Sequence, residues 1–146
     1  MKKLVVAIFG LCLAVHVWAA EGEWTTDLAK AQAKAKEEKK MVLADFTGSD
    51  WCPPCKALHK NVFSSKEFQE YAKKNLVLVE VDFPRAKQQS EQLKNANRAL
   101  AEKHKIEAYP TVIVFDSNGK ELRKNAGYGG QSAKDFIAEL DKLKKS

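Results

Sequence analysis

Apolar and polar residues alternate along the chain with two different periods. Trp24, Leu28, Ala31 and Ala35 recur at helical spacing, with charges on the other face, and predict a helix over 24–40. Met41-Val42-Leu43-Ala44-Asp45-Phe46 follows as a nearly continuous apolar run, the mark of a strand buried on both faces, broken only by its aspartate. Thr47-Gly48-Ser49-Asp50 reads as a loop. A helix is expected to open at Pro53 and Pro54, since proline suits a first turn whose N–H groups lack intrahelical partners, and to run on through Lys56, Leu58 and His59. Lys66 to Lys74 predicts a further helix with Phe68, Tyr71 and Ala72 inward. Leu76 to Val81 is the second strong strand, ended by Phe83-Pro84-Arg85. A long polar helix then places Leu93, Ala96 and Leu100 at core spacing. Thr111 to Phe115 predicts a third strand, and Asn118-Gly119 a hairpin turn into 120–124. After Gly127-Tyr128-Gly129-Gly130, a last helix turns Phe136, Ile137, Leu140 and Leu143 inward. Strands separated by helices pair in parallel, whereas a closing hairpin is antiparallel. The pattern therefore predicts an α/β fold with one central mixed sheet flanked by helices, in a single domain.

The opening segment departs from this pattern. Lys2 and Lys3 precede an apolar stretch from Leu4 to Val15, and Val17-Trp18-Ala19-Ala20 supplies small residues before polarity begins at Glu21. That order is a secretory signal peptide, expected at 1–19 and cleaved after Ala19, leaving a domain over 20–146. Cleavage after Ala20 and retention as an anchor are the alternatives, the latter disfavoured because a span needs about 20 apolar residues. Export is expected to place the protein where disulfides can persist. The net charge of +6 falls to +4 without Lys2 and Lys3, and the remaining charges are interspersed, as in Lys34-Ala35-Lys36-Glu37-Glu38-Lys39-Lys40. Such a surface is solvated rather than built to track phosphates, so no nucleic-acid partner is expected.

Of three cysteines, Cys12 lies in the leader, and Cys52-Pro53-Pro54-Cys55 is the pair left to the domain. An isolated Cys-x-x-Cys in an exported chain is most simply a reversible disulfide. A zinc site built with His59 and His104 is the alternative, but it lacks the second closely spaced ligand pair such sites show, and no metal or cofactor is expected. Lys56 stands where haem attachment needs a histidine. A purely structural bridge would close a very short loop, where cross-linking gains least. A thiolate at the start of a helix is stabilised by unpaired N–H groups, so Cys52 is expected to be the nucleophile and Cys55, one turn on and more buried, the resolving thiol. Neither Pro53 nor Pro54 offers an N–H to that thiolate, which favours a more reducing couple.

Trp51-Cys52-Pro53-Pro54-Cys55-Lys56, joined to Tyr109-Pro110-Thr111 at the opening of an apolar strand, resembles the thioredoxin family over nearly all of 20–146. Asp50-Trp51-Cys52 and Val62-Phe63-Ser64 are most similar to the soluble thioredoxin-like domain of bacterial membrane disulfide-reducing systems. The resemblance implies a thioredoxin fold, a cis Pro110 facing the cysteines, and Asp45 as the buried acid that accepts the Cys55 proton. It also implies a substrate-facing set of Trp51, Pro53, Pro54, Tyr109 and Thr111, with Gly127–Gly130 as a further wall or simply a turn. The activity implied is that of a monomeric thiol:disulfide oxidoreductase. It would act in the periplasm of the bacterial envelope on disulfide-containing exported proteins, chiefly as a reductant, with a membrane disulfide reductase as electron donor. An oxidising direction and a non-enzymatic peptide-binding module are the alternatives. Two departures stand out. One extra residue separates Asp45 from Trp51, so Asp45 lies inside only if Gly48 absorbs it; otherwise Asp45 is a carboxylate at a strand end. Glu80 lies near the position of the family's strand lysine and reads as the outward face of a partly exposed strand.

Overall fold

The structure is a computed structural model that describes residues 23–145. The expected signal peptide at 1–19 and its cleavage site lie outside the described residues. The elements run β1 (Trp24–Thr25), α1 (Leu28–Glu38), β2 (Met41–Thr47), α2 (Pro53–Leu58), a π-helical turn (His59–Phe63), α3 (Lys66–Asn75), β3 (Leu76–Asp82), α4 (Glu91–Lys103), β4 (Thr111–Phe115), β5 (Glu121–Ala126) and α5 (Ala133–Leu143). The sheet order is β1-β3-β2-β4-β5. β1, β3 and β2 pair in parallel, and β4 is antiparallel to both its neighbours, β2 and β5. Among the described residues no helix is long and apolar enough to cross a membrane.

β2 is buried along its whole length, as a central strand between two parallel and antiparallel neighbours must be. Side chains of a strand alternate between faces. Met41 and Leu43 of β2 therefore join Leu76, Leu78, Val112 and Val114 on the face covered by Leu58, Val62, Phe63, Phe68 and Leu140. Val42, Ala44 and Phe46 join Val79, Val81 and Ile113 on the other face, under Leu28, Ala31 and Ala35 of α1. Each fully buried Leu or Phe contributes about 1.5–3 kcal/mol. Helix starts are capped by side chains: Asp27, Ser65, Ser90 and Ser132 accept from the N–H groups of Lys30, Phe68, Leu93 and Asp135.

Three details correct the sequence reading. Trp24 lies not in the first helix but in β1, paired with Leu78, where its ring meets Phe63. Two residues with a helical echo in the following turn cannot be told from a helix start by spacing alone. In α4, Ala96 is exposed and Leu93 and Leu100 are half-buried, while Asn97 is the buried residue. Its Nδ2 donates to the Asp82 carbonyl at 2.9 Å and ties the helix to the end of β3. The helix after the cysteines does not stay α past Leu58 but widens into the π-helical turn, a form that often marks functional sites.

Candidate active site

The alternation that sorts the core also sets the site. Asp45 continues the Met41–Leu43 row, and Glu80 continues the Leu76–Leu78 row, so both point to the face carrying α2. They are register partners across β2 and β3. With Thr47, Ser49, Cys55, Lys56, His59 and Lys87 they line a cavity of about 270 Å³. A larger hollow of about 600 Å³ between α1 and α4 contains no cysteine, so the smaller cavity carries the chemistry.

Cys52 and Cys55 form a disulfide at the head of α2, with Cys52 as the helix N-cap and Pro53 and Pro54 in the first turn. Cys55, expected to be the more buried, is 2% exposed and Cys52 3%, so both are buried and the difference between them is slight. The preceding turn is closed by Cys52 N–H donating to the Gly48 carbonyl at 2.9 Å. Gly48 is required there: a Cβ on it would fall 2.6 Å from Trp51 Nε1. This turn absorbs the extra residue between Asp45 and Trp51, and β2 keeps its register.

Asp45 therefore lies inside, 5% exposed, and its Oδ1 has no hydrogen-bond partner. Burial pushes its carboxyl up to about 8, and the charges of Glu80 and Asp82 push in the same direction. Glu80 does not face outward. It is half-buried in the same cavity, its pKa raised by burial and by Asp82, against the opposing pull of Lys87 and His59. Sequence reasoning missed this because the register of β3 against β2 is not written in either strand alone. The period-2 count from Leu76 and Leu78 was the available signal.

The second strip of the site comes from the turn before β4. The Tyr109–Pro110 peptide is cis. Tyr109 and Trp51, each one residue before Pro110 and Cys52, meet edge to face with ring centroids 5.9 Å apart. Trp51 Nε1 donates to the Phe83 carbonyl at 2.8 Å. Pro53 and Pro54 are exposed beside the pair. Thr111, expected among the substrate-facing residues, is instead buried, with its hydroxyl donating to the Ala108 carbonyl at 2.7 Å. It fixes the turn and presents no side chain outward. Pro110 is also buried. Gly127 donates its N–H to the Pro110 carbonyl at 2.7 Å. Its φ of 84° explains the glycine. The zinc alternative loses its ligand set, because His59 lines the cavity whereas His104 packs against Phe46 and Phe115 under the other face.

A helix-capping cysteine pair beside a turn with a cis proline, on a mixed sheet of this order, defines a thioredoxin-type site. The family model for a thioredoxin-like domain matches residues 28–144, and the chain belongs to that family. It is 34% identical over 106 residues to the disulfide bond reductase DsbH of Chlamydia pneumoniae, covering 73% of this chain and 63% of that protein. Over 117 residues it is 32% identical to the thiol:disulfide interchange protein DsbD of Photorhabdus laumondii subsp. laumondii, covering 78% of this chain and 18% of that one. The chain thus spans less than two thirds of the length of these relatives. A solved structure of a DsbH oxidoreductase superposes with a TM-score of 0.78 at 28% identity, covering 86% of each chain.

Proposed function

We propose that the chain is a thiol:disulfide oxidoreductase that reduces disulfides of exported proteins through Cys52 and Cys55. The observation that carries this reading is the shared cavity of Cys55 and an unpartnered, buried Asp45. In the reduced pair, the Cys52 thiolate attacks one sulfur of the substrate disulfide. A Cys52–substrate bond forms, the substrate bond breaks, and the departing sulfur takes a proton. Cys55 then gives its proton to the Asp45 carboxylate and attacks Cys52 Sγ; the Cys52–substrate bond breaks, and the second substrate sulfur leaves as a thiolate that takes a proton from solvent. The substrate gains two electrons and the pair becomes the disulfide seen here. A dithiol donor restores it by the same exchange, and a membrane disulfide reductase is the class that fits an exported protein. The names of DsbH and DsbD support this assignment.

Trp51, Pro53, Pro54 and Tyr109 form the surface for the substrate, whose extended backbone lies along the turn at Pro110. Thr111 supports that turn from beneath. The leader at 1–19 directs export to the periplasm, and the mature protein works as a monomer without cofactor. The test is turnover of a protein disulfide such as that of insulin with a dithiol donor. Cys52→Ser should abolish it. Cys55→Ser should accumulate a mixed disulfide on Cys52; turnover by Cys52→Ser, or a mixed disulfide through Cys55, would overturn the assignment.

A further inference from the structure

The loop that follows β3 is tied to the cysteine turn more tightly than a connection requires. The Asp50 carboxylate accepts from the backbone N–H groups of Arg85 at 3.0 Å, Ala86 at 2.7 Å and Lys87 at 2.9 Å. Those N–H groups hold the Asp50 carboxyl down to about 2. Trp51 is bonded to the Phe83 carbonyl, and the Phe83 ring lies 5.3 Å from that of Tyr109. The result is an exposed Arg85 whose guanidinium sits 4.0 Å over the Trp51 ring, one residue from Cys52. A stacked guanidinium keeps its edge N–H groups free for a carboxylate in the plane of the fork. Arg85 has no carboxylate partner among the described residues.

The acidic groups at this end do not cancel that charge. Asp82 is bound by Ser49 and Lys87, Asp50 is turned into the loop backbone, and Asp45 and Glu80 face the cavity. Lys56 stands exposed at the rim of the same cavity. The surface around Cys52 therefore presents fixed positive charge beside aromatic rings.

We propose that Arg85 selects protein partners with acidic residues flanking the disulfide to be exchanged. The inference rests on the disulfide-reducing function proposed above and adds a substrate class to it. An exposed pair is worth about 0.2–1 kcal/mol, which corresponds to at most about a fivefold preference for a single contact. The test uses two peptide disulfides of equal length, with Glu or Lys on both sides of the target cysteines. The readout is the ratio of kcat/KM, Glu peptide over Lys peptide. Wild type should prefer the Glu peptide about twofold to fivefold, and the preference should collapse in about 1 M salt, where screening acts over about 3 Å. Arg85→Gln should bring the ratio close to one, while Arg85→Lys should keep part of it. A ratio near one in wild type, or equal in wild type and Arg85→Gln, overturns the proposal. An equal fall on both peptides shows a structural role for Arg85 and also overturns it. Reduction of neither peptide overturns the enzymatic reading itself, and is thereby distinguishable.

Discussion

Asp82 and Asp45 are buried at the same end of neighbouring strands, 6% and 5% exposed, and the fold treats them in opposite ways. Asp82 accepts from Ser49 N at 2.9 Å and Ser49 Oγ at 2.6 Å, and pairs with Lys87 Nζ at 3.8 Å. Asp45 has an Oδ1 with no partner and like charges nearby. A satisfied buried carboxylate holds structure; an unsatisfied one, whose charged form is expensive, titrates near neutral pH and there takes up and releases protons. The difference arises from the loop. Ser49 belongs to the cysteine turn, so Asp82 anchors the turn that presents Cys52, while Asp45 faces the cavity on which Cys55 opens.

The contrast breaks most visibly at Asp45. Asp45→Asn should slow release of substrate from the mixed disulfide by about a hundredfold near pH 7, the usual scale for a lost general base. Rapid-quench trapping of the mixed disulfide measures it. The same variant has a stability signature. The carboxyl is raised to about 8 in the fold and sits near 3.8 when unfolded, so between those values the folded state holds the extra proton. Stability from this group is then greatest below about 4 and falls as pH rises towards 8. Urea titrations of the oxidised protein should show that slope in wild type and lose the larger part of it in Asp45→Asn, the raised Glu80 keeping a smaller slope of the same sign.

Asp82→Asn should act on folding. Loss of its charge-assisted bonds to Ser49 is expected to cost about 2–3 kcal/mol in the same titrations. Unlike Asp45→Asn, it should keep a pH slope of the same sign, with its upper end moved to lower pH because the Asp82 charge no longer raises the Asp45 carboxyl. Gly48→Ala drives a Cβ into the Trp51 indole and is expected to cost about 1–3 kcal/mol. Loss of Trp51 fluorescence structure at unchanged β-sheet circular dichroism would locate that damage in the turn. Glu80→Gln should have the smallest effect. Removing a neighbouring negative charge moves the Asp45 titration downward, visible as a shift of the pH–rate midpoint to lower pH.

The sequence carries the cysteine pair, the Tyr109-Pro110-Thr111 turn and the buried strands in plain view, because each depends on local composition: proline at a helix start, or unbroken Val and Leu. What it hides depends on pairing between distant segments. Glu80 looks outward until Asp45↔Glu80 register sets it in the cavity. Asn97 looks polar until the carbonyl of Asp82 calls it into the core. Asp50 looks like a loop residue, yet it gathers three N–H groups from residues 85–87. Thr111 reads as part of a binding motif because its neighbours do, but strand pairing with Phe46 and Ala126 turns it inward.

The most direct test of the central claim is the reduction potential of the Cys52–Cys55 couple, measured by equilibration with glutathione buffers and quantified by trapping free thiols. Because Pro53 and Pro54 carry no N–H to donate to a Cys52 thiolate, the predicted value is more negative than about −200 mV, on the side of thioredoxin near about −270 mV. A value near about −120 mV, that of a strong oxidant, would contradict it.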